Sequence, residues 1–82
     1  MTINEIISEL NKVLKEKNIN AKITEKNTNI SFKDSGIDSL QMIETVVAIE
    51  SKLNITLPDE KLLELKTVKD LIDLIDKIKN KK

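Results

Sequence analysis

An all-α fold is what this sequence predicts, and three observations predict it. One glycine and one proline among 82 residues leave little chemistry for tight turns between strands. Apolar residues recur at spacings of three and four along three separate stretches, as one face of a helix does. Two of those stretches open on the capping-box pattern, Thr2-x-x-Glu5 and Thr67-x-x-Asp70. The expected architecture is a single domain, residues 1–82, built as a four-helix bundle of three longer helices and one short helix, with a long loop between the first two.

The first helix is placed over residues 3 to 16 by Ile3, Ile6, Ile7, Leu10, Val13 and Leu14, which share a face. From Lys17 to Asp38 the periodicity dissolves into asparagine, threonine and lysine, with Ile19, Ile23, Ile30, Phe32 and Ile37 as separate apolar anchors. A loop of that length in a small domain points to function, although Ile19, Ala21 and Ile23 alternate as a brief extended segment would. The second helix spans Ser39 to Leu53, with Asp38 or Ser39 offering a side-chain oxygen to its first turn. Asn54 and Pro58 end it and lead into the short third helix, from Pro58 or Asp59 to Leu65. Val68, Leu71, Ile72, Ile75 and Ile78 stripe the fourth. The terminal Lys79-Asn80-Lys81-Lys82 reads as a solvated helix end whose charge complements the dipole.

Composition removes whole classes of function. With no cysteine and no histidine the chain lacks disulfides, thiolate nucleophiles, the usual zinc ligands and the commonest general base, so an enzyme and a metal site are not expected. Phe32 is the sole aromatic and arginine is absent, so the stacking platforms and basic stripe of a nucleic-acid module are missing. No stretch has the length of a membrane span, and the start lacks a basic segment followed by an apolar run, which predicts a cytoplasmic chain that does not enter membranes. Fourteen lysines balance fourteen acids overall, yet residues 34 to 64 carry seven acids against two lysines. Residues 65 to 82 invert this, with six lysines against three acids.

The second helix carries one apolar face more than a core requires. Met42, Val46, Ile49 and Leu53 fall within about 60° of one another and suffice for burial. Leu40, Ile43 and Val47 form a second cluster centred about 120° away, flanked by Glu44 and Glu50. A deeply buried central helix would account for both faces, but acids beside the second cluster argue for exposure and for docking a basic partner. Ser39 stands at the tip of that helix. By position alone a serine there is a cap. As a nucleophile it would need a base, and Lys33, the nearest lysine in sequence, comes with no motif for a Ser/Lys pair. A hydroxyl at the positive end of a helix does suit an attached phosphate, placed there by another protein's active site.

Asp34-Ser35-Gly36-Ile37-Asp38-Ser39-Leu40, then Ala48-Ile49-Glu50, Ile55-Thr56-Leu57-Pro58-Asp59-Glu60 and Thr67-Val68 together resemble the acyl carrier proteins, in order and spacing over roughly residues 3 to 79. The resemblance implies an acyl-carrier-like bundle without enzymatic activity of its own. In it Ser39 receives 4′-phosphopantetheine from coenzyme A, covalently, through a phosphodiester. It also implies a phosphopantetheinyl transferase and cargo-loading and cargo-processing enzymes as partners; the second face of the second helix, with Asp38, Leu40, Ile43, Glu44, Val47 and Glu50, is where they are expected to dock on a monomer. The cofactor would supply the thiol that the chain lacks, together with the reach a side chain does not have. Position 35 is serine where carriers of fatty acid synthesis usually have leucine, position 41 is glutamine where they often have an acid, and the chain is neutral where they are typically acidic. These departures point to a free-standing carrier of a dedicated, polyketide- or nonribosomal-type pathway holding acyl or aminoacyl/peptidyl thioesters. Asp38, where peptidyl carriers more often have histidine, points to acyl cargo. Housekeeping fatty acid synthesis, a cofactor-free helical adaptor and a purely structural bundle are the alternatives, and an exposed Val47 counts against the last.

Overall fold

The computed structural model describes residues 1–80. Four helices follow one another, α1 (Ile3–Glu16), α2 (Ser39–Leu53), α3 (Asp59–Leu62) and α4 (Val68–Lys79), and no strand accompanies them among the described residues. α1 packs against both α2 and α4. Most of the predicted core is observed: Ile6, Ile7, Leu10, Val13 and Leu14 of α1, Val46, Ile49 and Leu53 of α2, and Val68, Leu71, Ile72 and Ile75 of α4 are buried together, whereas Ile3, at the start of α1, is exposed and Met42 and Ile78 are half-buried at the edge. Lys81 and Lys82 of the expected solvated tail lie outside the described residues.

Helix starts follow the sequence closely because each is fixed by local side-chain chemistry. Thr2 and Thr67 accept the backbone N–H groups of Glu5 and Asp70, and those acids reach back to the cap residues' own N–H groups. Asp70 also accepts the N–H of Lys66, and these backbone donors hold its carboxyl below the usual aspartate range. Helix ends are handled by asparagine in place of glycine. Asn18 and Asn54 both adopt left-handed backbone, at φ 57° and 55°. Past them the Ile19 N–H donates to the Leu14 carbonyl at 2.9 Å and the Ile55 N–H to the Glu50 carbonyl at 3.0 Å. One glycine therefore suffices for a bundle with several sharp reversals, since asparagine tolerates that region at small cost.

The connection of residues 17–38 is a loop, as expected, and it is strapped to the bundle at three places. Ile19, Ile23, Phe32 and Ile37 plug into the core, whereas Ile30, expected as a fifth anchor, is exposed and is held by its backbone carbonyl, which accepts the Val68 N–H. Asn11 of α1 clamps the backbone of Ile23, donating to its carbonyl and accepting its N–H, each at 2.8 Å. The alternation of Ile19, Ala21 and Ile23 yields no strand; two isoleucines bury and the backbone between them is held by α1 instead. A third strap joins the loop to the entry of α4. Lys69 N–H donates to Thr28 C=O, Val68 N–H to Ile30 C=O and Phe32 N–H to Lys66 C=O, around an antiparallel bridge between Ser31 and Thr67.

That strap corrects the expected third helix, which stops at Leu62 rather than Leu65. α3 has no side-chain cap and buries no residue, so nothing sustains it beyond one turn. Residues 63 and 64 continue only as a turn, with the Glu64 and Leu65 N–H groups bonded to the carbonyls of Lys61 and Leu62, before the chain straightens to meet Phe32.

Candidate functional site

The turn of residues 31–37 aims the start of α2. The Ser35 N–H and hydroxyl both donate to the Ser31 carbonyl at 3.0 Å, and the Ser31 hydroxyl accepts the Asp34 N–H. Gly36 then takes φ 86°, a conformation that side chains disfavour, which lets the Ile37 N–H return to the Phe32 carbonyl at 2.9 Å. Ile37 is thereby buried, and the next residue emerges at the surface as the helix cap.

Asp38 is that cap. Its carboxylate accepts the Gln41 N–H at 2.7 Å, while the Gln41 side-chain oxygen accepts the Asp38 N–H at 3.1 Å. Of the two candidates for the cap, Asp38 takes the role and Ser39 is released from it. Ser39 occupies the first helical position, exposed, and among the described residues its hydroxyl bonds no protein group. The N–H groups of Ser39 and Leu40 likewise meet no protein acceptor there. A free hydroxyl thus sits beside two free donors at the positive end of a helix of 15 residues.

Beside the hydroxyl an open groove of about 660 Å³ runs between the start of α2 and the α3 region. Phe32, Ile37, Met42, Ile43, Leu62 and Leu65 give it an apolar lining. Met42, expected in the core stripe, is half-buried and forms part of this wall.

α2 presents the two faces the sequence predicts. Val46 and Ile49 are sealed, at 1% and 0% exposure, whereas Leu40, Ile43 and Val47 stand at 66%, 51% and 59%. Val47 in the open counts against the purely structural bundle, in which the second cluster would be covered. The sequence did not single out two participants. Thr45 is buried, its hydroxyl returned to the Gln41 carbonyl at 2.8 Å. Leu63, just past α3, is 89% exposed and lines the same groove as Ser39. Glu44 is exposed at the rim, as expected. Glu50 differs from a free rim charge: it is half-buried, and its carboxylate accepts the Leu57 N–H at 2.8 Å, holding the turn after α2. The sequence hid this because the Leu57 donor lies seven residues away, beyond the left-handed turn at Asn54.

Comparison with known proteins converges on one family. The family model described as a phosphopantetheine attachment site matches residues 4–75. Proteins named acyl carrier protein homolog are similar to this chain in Mycoplasma genitalium, 38% identical with 88% of this chain and 86% of that one covered, and in Mycoplasmopsis pulmonis, 42% identical with 93% and 94% covered. Among solved structures, the acyl carrier protein of Thermotoga maritima superposes with a TM-score of 0.80 at 26% identity, covering 93% of this chain and 88% of that one. The butyryl form of the carrier from the actinorhodin polyketide synthase of Streptomyces coelicolor gives 0.69 at 26% identity, covering 93% and 87%. The first turn of α2 fits the group this family carries: a free hydroxyl, unspent N–H donors for a phosphate, and open space beside them. With the bundle, that turn and the match over most of its length in agreement, the chain belongs to the acyl carrier proteins, non-catalytic carriers that bear a covalently attached 4′-phosphopantetheine.

Proposed function

We propose that Ser39 is the attachment residue and that the chain works as a free-standing, monomeric, cytoplasmic carrier of acyl groups for a dedicated biosynthetic pathway. The observation that carries the attachment reading is the release of the Ser39 hydroxyl from capping by Asp38. In the transfer, Ser39 Oγ forms the new P–O bond, the pyrophosphate link of coenzyme A breaks, and adenosine 3′,5′-bisphosphate leaves. The chain has no histidine, and the one carboxylate at the site, Asp38, is engaged as the helix cap, so the hydroxyl proton passes to the transferase. Thereafter the protein accelerates nothing. It raises the effective concentration of a thioester beside whichever enzyme it docks on.

The docking face in this reading is Leu40, Ile43 and Val47, with Asp38 and Glu44 as rim charges and Glu50 adding its charge from a fixed position. A basic entrance on the partner complements that rim, setting encounter rate and orientation more than affinity. The overall charge balance supports a dedicated pathway. A second reading, housekeeping fatty acid synthesis, gains from the structure, because Ser35 and Gln41 each have a local role in the turn and the cap and so do not distinguish pathways.

Intact mass after incubation with coenzyme A and a broad-range transferase is the test. The wild type is expected to gain one phosphopantetheine and Ser39→Ala none; a gain on Ser39→Ala would refute the assignment. The mass of the loaded protein taken from cells then separates the two pathways, since straight-chain fatty cargo would refute the dedicated one.

A further inference from the structure

The acidic segment of residues 34 to 64 is bracketed in sequence by Lys33 on one side and Lys66 on the other. The fold brings these two ends together. Phe32 N–H donates to Lys66 C=O at 3.2 Å, which sets the two lysines on neighbouring stretches of the same strap. Both line the groove that Ser39 lines. Both are exposed, and among the described residues neither ammonium joins an ion pair, a state they share with Lys15, Lys17, Lys22, Lys26, Lys77 and Lys79; what sets them apart is that no other lysine lines this groove. Asp38 is the one carboxylate lining that groove, and its Oδ1 is bonded to the Gln41 N–H. A groove that is apolar apart from Ser31, Asp38 and Ser39 thus carries two cations without an ion-pair partner.

We infer that Lys33 and Lys66 clasp the phosphodiester of the arm and lay the root of that arm across the groove between α2 and the α3 region. The inference rests on attachment at Ser39. A phosphodiester keeps its negative charge at any physiological pH, and lysine is an effective point-charge partner for phosphate. Two lysines on one rim, their backbone stretches tied by that bond, give the charge a preferred side of α2, toward the groove and away from the exposed face of Leu40 and Val47. The two lysines are positioning residues: they bias where the arm rests and leave its chemistry alone.

The test uses the holo-protein, its mass gain confirmed first, so that failure of attachment is seen separately from failure of the clasp. A nitroxide label on the arm's thiol reports position through broadening of backbone amide resonances. In the wild type at low salt the amides of Lys33, Met42, Leu62 and Lys66 are expected to broaden most. In the Lys33→Gln, Lys66→Gln double variant the broadening at these sites is expected to fall by roughly twofold or more, the scale of an exposed charged contact. The Lys33→Arg, Lys66→Arg pair is expected to retain it. Inorganic phosphate titrated into the holo-protein should compete for the ammonium groups and release the label from the groove. An unchanged pattern in the glutamine variant, or a label indifferent to phosphate, overturns the inference. So does a variant that slows attachment while leaving the pattern intact, since the lysines would then act on the transferase. Both side chains are exposed, so helical content serves as the control for folding.

Discussion

Val46 and Val47 are chemically identical neighbours on α2 whose truncation should have opposite consequences. Val46 is 1% exposed and Val47 59%. Removing two buried methyl groups from Val46 forfeits about 1.6 kcal/mol of transfer free energy. The void left in the core cluster adds about 0.5 to 1 kcal/mol if it relaxes only in part. Val46→Ala is therefore expected to cost about 2 to 2.5 kcal/mol, and in a domain of this size that is a drop in Tm of roughly 8 to 20 °C. At Val47 less than half of the transfer loss applies, about 0.7 kcal/mol, and alanine's higher helix propensity returns most of it. Val47→Ala should unfold within about 0.5 kcal/mol of the wild type. Urea titrations read at a common slope measure both. Loading by a cognate enzyme should show the reverse ranking, with Val47→Ala slowed and Val46→Ala near normal below its melting temperature. Equal losses of stability in the two variants would refute the assignment of faces on α2, and with it the docking surface.

Three further outcomes follow from the site and its frame. Gly36→Ala is expected to cost about 1 to 2 kcal/mol through its φ of 86° alone, since the space for a Cβ is open with Asn20 O at 3.7 Å; denaturant unfolding reads it. Glu44→Lys should slow attachment of the arm at low salt, with the effect shrinking as salt rises, and leave stability unchanged, whereas Glu50→Lys should also destabilise by stripping the Leu57 N–H of its acceptor; stopped-flow kinetics paired with melting separates them. The carboxyl of Asp70 has a folded pKa below its unfolded value because it accepts the Lys66 and Thr67 N–H groups, so its contribution is complete above the unfolded pKa and disappears as pH falls through the folded one. Urea midpoints followed from about pH 5 to about pH 2 should fall less in Asp70→Asn than in the wild type.

What the sequence revealed and what it hid divide by the range of the interactions involved. The starts of α1, α2 and α4 were legible because a cap and its partner lie three residues apart, and the core stripes because burial imprints a helical period. The choice between Asp38 and Ser39 as cap was not, since both residues have a competent oxygen and only the turn through Gly36 selects one. The length of α3 was hidden for a similar reason: Leu62, Leu63 and Leu65 look helical in one dimension, while the strap from Phe32 to Lys66 that ends the helix joins residues 34 positions apart. Glu50 shows the same limit. Its charge was visible and its partner was not.

The division of α2 into a sealed face and an open one has a bearing on how such a protein changes over time. Because the residues that hold the bundle and those proposed to meet other proteins point in directions about 120° apart on one rod, substitutions on the two faces should add wherever they have no common contact, the wall that Met42 and Ile43 both line being the exception. Selection on partner choice can then rewrite Leu40, Ile43, Glu44 and Val47 without drawing down the margin by which the fold is stable, and drift in the interior can proceed without disturbing recognition. A carrier built this way is readily re-addressed: a library randomised at those four positions should stay largely folded, so that what it samples is a space of partners and not a space of unfolded chains.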